Sequence, residues 1–314
     1  MKKRILGRTG MEISEIAFGG VSIGMPYAGQ PMPPESESIR ILHRALEQGI
    51  NFYDTARMYG VSEQLIGKAF KDRRDEVFIN TKCVHFLDPS GKIPSDIDLE
   101  RTIHESLEKS MKTLGTDYID VYMLHQSSMD ILTNDEVAGI FTNLKKQGKV
   151  RAIGASTYTL EESRTCIDAG IWDVIQLPFN LMDQQQSTFF SRTKELGIGL
   201  IIRSVLFRGM LTDKPLNLRP ELQEVADHIR NFQELIGRDI PDLVTLAMKF
   251  VLSYDAVGSV LVGMDRMEHL HAALEVADGS YFDEELMSKL ENLAYPDPGF
   301  LNLSHWVKNG WLEN

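Results

Sequence analysis

The sequence predicts an α/β fold, a (β/α)8 barrel of the TIM type, and three observations carry that expectation. Eight short apolar runs recur along 314 residues. They are nearly continuous rather than alternating, as strands covered on both faces must be. Helical patterns separate them, and eight strands alternating with helices in about this length fit one barrel. A single domain over residues 1–314 is therefore expected. An open doubly wound sheet is the rival. It is disfavoured because no GxGxxG follows the first strands and no break in charge or composition marks a second domain.

The chain opens with "RILGRTGMEISEI", read as a hairpin turning near Thr9-Gly10 and expected to plug the bottom of the barrel. The strand runs are "IAFGG" near 16, "INFYD" near 50, "VFINTK" at 77, "IDVYMLH" at 119, "VRAIGAS" at 150, "VIQLPFN" at 174, "GLIIRS" at 199 and "SVLVG" at 259. Between them lie "ESIRILHRALEQG", "DLERTIHESLEKSMKTLG" and "TNDEVAGIFTNLKKQGK", closed by Gly49, Gly115 and Gly148, where a helix end favours glycine. Three segments depart from the alternation. Residues 83–98 form a Pro-containing loop, 205–240 form a partly helical insertion, and the tail from Tyr295 shows little regular pattern. Long loops after barrel strands lie over the C-terminal face, where active sites sit.

Composition narrows the function. Hydrophobic residues make up 43% and charged residues 25%, values of a globular chain with a full core. The net charge, 33 − 45 = −12, disfavours nucleic acid or anionic membrane as partners but leaves room for a local basic pocket. Cys83 and Cys166 lie too far apart to suggest a disulfide framework or zinc site, and Cys83 reads as a packing residue. His269 and His271 point apart on a helix, so no metal site is expected. The opening lacks the apolar stretch of a secretory signal, and no run approaches transmembrane length, so a cytoplasmic protein is expected. Nothing in the sequence specifies an oligomeric state.

The C-terminal ends of the strand runs carry the chemistry. Asp54 ends the second run with Tyr59 just beyond, Lys82 ends the third, and His125 ends the fourth. Ser156 follows after the fifth, Gln176 within the sixth and Arg203 after the seventh. Read singly, each has an ordinary explanation: a rim ion pair for Asp54 and Lys82, packing for Tyr59, a helix cap for Ser156. A closed barrel brings them to one bowl. Tyrosine, with a pKa of about 10, is a poor acid at neutral pH. A neighbouring lysine ammonium is expected to lower that value, with Asp54 orienting the lysine and His125 hydrogen-bonding the substrate oxygen. Tyr59 is then the general acid toward a carbonyl, and a nicotinamide cofactor must supply hydride.

In this order the residues resemble the aldo-keto reductase family along nearly the whole chain. "YDTARMYG-SEQLIGKAF" is similar to its Asp/Tyr signature, "INTKC" to its lysine strand, "IDVYMLHQ" to its histidine strand and "VRAIGASTY" to its cofactor loop. The resemblance implies an oxidoreductase acting on an aldehyde or ketone, or on the corresponding alcohol. It implies that Ser156 and Gln176, with Thr157 where the family carries Asn, meet the nicotinamide carboxamide. Arg203 takes the position that stacks on the ring, a role a planar guanidinium can fill. "SVLFRG", with Ser204, Leu206 and Gly209, would run along the pyrophosphate. "GMDRMEHLHAAL", with Gly263 and Arg266, would reach the adenosine end, and Gly20 and Asp54 complete the cofactor set. His269, Ala272 and Ala273 stand where the family carries a basic residue and a Glu-Asn pair. NADP(H) is expected in preference to NAD(H). Tyr27, His85, Phe86, Gln126 and Trp306 are the candidates for a small-molecule substrate, with a sugar or polyol carbonyl fitting them better than a steroid. Two alternatives remain: a nicotinamide-binding regulatory subunit with little turnover, and a barrel enzyme of other chemistry.

Overall fold

The computed structural model describes residues 1–88, 90–212 and 218–312. Strands β1 (Lys3–Ile5) and β2 (Glu12–Ser14) pair antiparallel as the expected hairpin, with Gly10 left-handed at its turn. Eight parallel strands follow: β3 (Ile16–Gly19), β4 (Phe52–Asp54), β5 (Phe78–Lys82), β6 (Ile119–Leu124), β7 (Val150–Ser156), β8 (Val174–Pro178), β9 (Gly199–Arg203) and β10 (Val257–Gly263). They close in chain order, β10 pairing with both β9 and β3. All eight apolar runs are strands; Asp54, Lys82, Ser156 and Arg203 end theirs, His125 directly follows β6, and Gln176 lies within β8.

Side chains alternate along a strand. One set therefore turns into the barrel and the other toward the helices. Ala17, Phe52, Val121, Met123, Ala152, Val174 and Ile201 fill the interior together with Leu6, Met11 and Ile13 of the hairpin region, which seals the bottom. Tyr53, Ile79, Tyr122, Ile153 and Ile175 face outward against the helical layer. Continuing the inward alternation past the apolar layer turns Asp54, Asn80 and Lys82, His125, Ser156, Gln176 and Arg203 to the upper rim of the same lumen. The bottom is fastened by buried carboxylates. Asp120 holds Arg74 and Arg151, and Asp173 holds Arg8 and Lys145.

The expected helices are Glu35–Glu47, Asp96–Leu114 and Asp135–Lys146, and Gly49, Gly115 and Gly148 take positive φ beyond their ends. Helix Asp96–Leu114 shortens the third-strand loop to end at Ser95. The described part of the 205–240 insertion contains the helix Gln223–Gln233. The tail departs from expectation: residues Leu303–Lys308 are helical, capped by the Asn302 side chain accepting from the His305 N–H. No helix among the described residues is long and apolar enough to cross a membrane.

Candidate active site

Strand register sets the centre of the site. Asp54 pairs with Asn80 across β4 and β5, so the Asn80 amide reaches and hydrogen-bonds the carboxylate. Two residues on, Lys82 points the same way, and its ammonium donates to both Asp54 oxygens at 2.7 Å. Its third hydrogen goes to the Thr55 carbonyl at 3.1 Å, so every donor is used. Lys82 is fully buried, and burial lowers its pKa against the opposing pull of Asp54.

The Tyr59 turn is built from close backbone approaches. A Cβ on Gly24 would lie 2.1 Å from the Tyr59 carbonyl oxygen, and Gly60, at φ +51°, sits equally close to the Gly24 carbonyl. Arg57 within the turn is ion-paired with Glu63 of the helix Ser62–Ala69. The second oxygen of Glu63 accepts from Thr81 Oγ1 at 2.7 Å, so the turn is tied to the strand that carries Lys82. Sequence reasoning missed Glu63. The signal was present: it is a carboxylate in the buried register of its helix, one turn before Ile66.

Lys82 Nζ lies 4.9 Å from the Tyr59 ring centroid, and His125 meets that ring edge-on at 5.4 Å. The quartet is thus gathered. The Tyr59 phenol hydrogen-bonds no described residue. Contrary to the expected lowering by Lys82, the phenol is pushed well above its usual pKa by burial and then by Asp54. The lysine charge is spent on Asp54, so the phenol stays protonated. His125 is held down to about 2 by burial, then by Lys82 and His85, so it is neutral. Its Nδ1 is buried without a partner.

Next around the barrel, Ser156 pairs in register with Gln176 and its hydroxyl lies 3.4 Å from the Gln176 carbonyl oxygen. The Gln176 amide donates to Asp54 at 2.8 Å. Ser156 does not cap the following helix; Thr159 and Glu162 form a capping box there. Thr157 requires correction: its hydroxyl is buried against Ser163 Oγ at 2.8 Å, because the chain bends toward that helix, and it turns only its carbonyl to the rim. That carbonyl accepts from Arg203 Nη2 at 2.8 Å. The Arg203 guanidinium lies 4.2 Å over the exposed ring of Tyr158, a neighbour the sequence did not single out, and its Nε is buried without a partner.

The segment beyond β9 is held by positive φ at Ser204, Phe207 and Arg208, followed by Gly209 at +89°. Asn180 pins it by donating to the Ser204 carbonyl at 3.1 Å. Leu206 accepts from the Gly209 and Leu211 amides at 2.8 and 3.2 Å, closing this turn. Gly20 packs against the site instead of opening it: its N–H donates to the Asp54 carbonyl, and a Cβ there would lie 2.6 Å from that oxygen. Gly263 ends β10 beside Ser22, whose hydroxyl is buried without a partner. Among the described residues Arg266 hydrogen-bonds Gln30 alone, at 3.3 Å, while Asp265 is taken up by His269 at 2.7 Å.

Among the substrate candidates, His85 is exposed and meets His125 edge-on at 5.0 Å. Phe86 is buried, anchoring its loop. Tyr27 is exposed beneath Arg208. Gln126 has a buried oxygen without a partner. Trp306 is displaced from the expected pocket wall. It is completely buried between Phe207 and Phe300, because the tail helix packs it as an anchor.

Comparison with known proteins places this arrangement. A family model described as "Aldo/keto reductase family" matches residues 15–294. The structure of aldo-keto reductase AKR11C1 from Bacillus halodurans (holo form) aligns with a TM-score of 0.79 at 29% identity, over 94% of this chain and 96% of that one. The NADH-specific methylglyoxal reductase of Escherichia coli (strain K12) is 28% identical over 88% of this chain and 94% of its own length. The L-galactose dehydrogenase of Arabidopsis thaliana is 27% identical over 93% and 94% respectively.

Proposed function

The chain belongs to the aldo/keto reductase family, and from that premise we propose that it reduces an aldehyde or ketone, or oxidises the corresponding alcohol, with NADP(H) in preference to NAD(H). The observation that carries this reading is the Tyr59 phenol: protonated, without a hydrogen-bond partner among the described residues, and edge-on to a neutral His125 above the Lys82–Asp54 pair.

When bound, the nicotinamide supplies the hydride. Tyr59 donates its proton to the carbonyl oxygen as negative charge develops there, and takes one back in the oxidation direction. His125, neutral, donates a second hydrogen bond to the same oxygen. Lys82 and Asp54, joined as a buried ion pair, fix the floor beneath Tyr59 and so hold the phenol in place for the transfer.

The residues at the rim fit a nicotinamide dinucleotide. Ser156, Gln176 and the unpartnered Nε of Arg203 offer polar atoms for a carboxamide. Ser204, Leu206 and Gly209 supply a tightly turned backbone, with Arg208 beside it, and Gly263 and Arg266 stand at the far end. The Escherichia coli relative is named for NADH, so the preference turns on this chain's own adenosine end. Arg266 is its arginine there, and a guanidinium can grip a 2′-phosphate bidentately. We read residues 1–314 as one barrel domain acting on a small molecule, with the cytoplasm as the compartment that fits two free, buried cysteines. Titration with NADPH and NADH, followed by turnover of a carbonyl panel, tests the proposal. Tight binding without turnover of any carbonyl or alcohol would instead indicate a regulatory subunit.

A further inference from the structure

We propose that Arg203 makes this site bind the reduced, neutral nicotinamide in preference to the oxidised, cationic one, by setting an uncompensated positive charge at the ring end of the cofactor groove. The inference rests on the reading above for a nicotinamide at the rim, and adds the redox form that the rim is built to hold.

Charge around the bowl can be counted residue by residue. Lys82 and Asp54 cancel as a buried ion pair at 2.7 Å, and Arg57 is answered by Glu63. His125 is neutral, held down to about 2 by burial and then by Lys82. Arg203 is left over. Its Nη2 donates to the Thr157 carbonyl at 2.8 Å, its Nη1 lies 3.4 Å from the Ser204 hydroxyl, and its buried Nε has no partner among the described residues. None of these groups is a carboxylate. Glu162, the acidic residue that follows closely on this loop, spends its carboxylate on the Tyr158 and Thr159 amides.

The charge is also held in place. The guanidinium lies 4.2 Å over the Tyr158 ring, and an aromatic face attracts a cation without neutralising it. Tyr158 is fixed in turn through its N–H, which donates to Glu162 at 2.6 Å beside the capping box of the next helix. Arg203 is therefore kept at the rim instead of swinging into solvent. Its field reaches the quartet: after burial and nearer charges have acted, Arg203 opposes proton binding at Tyr59, Lys82 and His125 alike.

Oxidised and reduced nicotinamides differ at the ring by one positive charge and share the same pyrophosphate and adenosine. Their affinity ratio therefore isolates what the rim does to that charge. Like charges near contact distance shift an equilibrium by about tenfold even where water screens them well. An aromatic side chain in place of Arg203 would attract the cationic ring instead. By linkage, the bound couple is displaced toward its reduced form by the same factor. The spent cofactor is then the weakly held one and is exchanged for the reduced form, which favours carbonyl reduction over alcohol oxidation.

The test measures dissociation constants for NADPH, by fluorescence titration, and for NADP+, by competition, in wild type, Arg203→Gln and Arg203→Lys. The expected wild type holds NADPH about tenfold more tightly than NADP+. Arg203→Gln, planar but uncharged, brings the ratio close to one. Arg203→Lys keeps the charge and retains most of the ratio, with the melting temperatures of the three proteins in agreement. Equal affinities in wild type, an unchanged ratio in Arg203→Gln, or an Arg203→Lys ratio equal to that of Arg203→Gln overturns the role of the Arg203 charge. The expected ratios without turnover of any carbonyl or alcohol would uphold that role while removing the carbonyl reading. Failure of wild type to bind any nicotinamide, NADH and NAD+ included, overturns both.

Discussion

Gln176 donates its amide to Asp54 at 2.8 Å, so a side chain expected at the nicotinamide carboxamide is joined directly to the buried carboxylate. Asp54 also accepts from Asn80 and twice from Lys82. Cofactor grip and proton chemistry thus share one hydrogen-bonded group. A disturbance at either end reaches the other through a carboxylate whose position is fixed on several sides.

Lys82→Met should unfold the protein more readily than Gln176→Met. Removing Lys82 strips the counter-charge from a buried carboxylate, a change worth about 3–5 kcal/mol. Removing Gln176 deletes one of several hydrogen bonds to a charged group, worth about 1.5–3 kcal/mol. Urea unfolding of both variants measures the difference. Equal midpoints would mean that Asp54 is held by its neighbours rather than by the lysine. Gln176→Met should in addition weaken cofactor binding, read by fluorescence titration.

Tyr59→Phe should lower turnover by at least the 10²–10⁴-fold that general acid catalysis contributes, roughly, while cofactor binding persists. Its stability should change by less than about 0.5 kcal/mol, because the phenol leaves no partner behind among the described residues. A variant with near-normal kcat would remove Tyr59 from the mechanism.

The pH dependence follows from the same groups. The acid form of Tyr59 is required for reduction, and its pKa is raised, so it loses its proton only above the ordinary tyrosine value of about 10. His125, at about 2, stays neutral throughout and adds no acid limb. For reduction, kcat/KM should be level from about pH 5 to about pH 9, within the range where neither group titrates. In the oxidation direction the phenolate is the base, so the rate should rise with pH. An inflection near neutrality that disappears in His125→Gln would assign the proton to His125.

Glu63→Gln should lower kcat more than it raises KM, because Glu63 holds Arg57 and Thr81 on either side of the Tyr59 turn without facing the bowl. Replacing one partner of a largely buried pair also destabilises, by about 1–3 kcal/mol. Recovery of kcat in Glu63→Asp with the melting temperature still low would separate positioning from bulk stability. A loss of kcat that merely tracks the unfolded fraction would count against positioning.

The barrel was legible because strands buried on both faces write themselves as unbroken apolar runs, and because alternation alone turns Asp54, Lys82 and His125 to one rim. What escaped the sequence depends on burial and on partners distant along the chain. The sign of the Tyr59 shift is one case: proximity of Lys82 was readable, but its full commitment to Asp54 and Thr55 was not. Thr157 is another, since nothing local says that its hydroxyl turns to Ser163. The tail helix has a readable cap in Asn302, yet the anchoring of Trp306 by Phe207 and Phe300 exists only in the folded chain. Tyr158 was passed over because its partner, Arg203, lies two strands away around the barrel.

Arg266→Ala should raise the KM for NADPH and leave that for NADH nearly unchanged. Only NADPH carries the 2′-phosphate, and Arg266 is exposed at the end of β10 with a single 3.3 Å hydrogen bond to Gln30, easily exchanged for a charge-assisted one. The neighbouring carboxylate argues for a modest margin, but less strongly than its position along the chain suggests. Asp265 is engaged by His269 at 2.7 Å, and its pKa is lowered first by that hydrogen bond, with Arg266 contributing last. Asp265 therefore opposes a phosphate mainly through its charge at a distance, not by occupying the guanidinium. His269→Ala should free that carboxylate to approach Arg266, and NADPH preference should fall further without any loss of an arginine. A wild type that prefers NADH, or an Arg266→Ala variant equally impaired with both cofactors, would show that Arg266 is not the phosphate ligand.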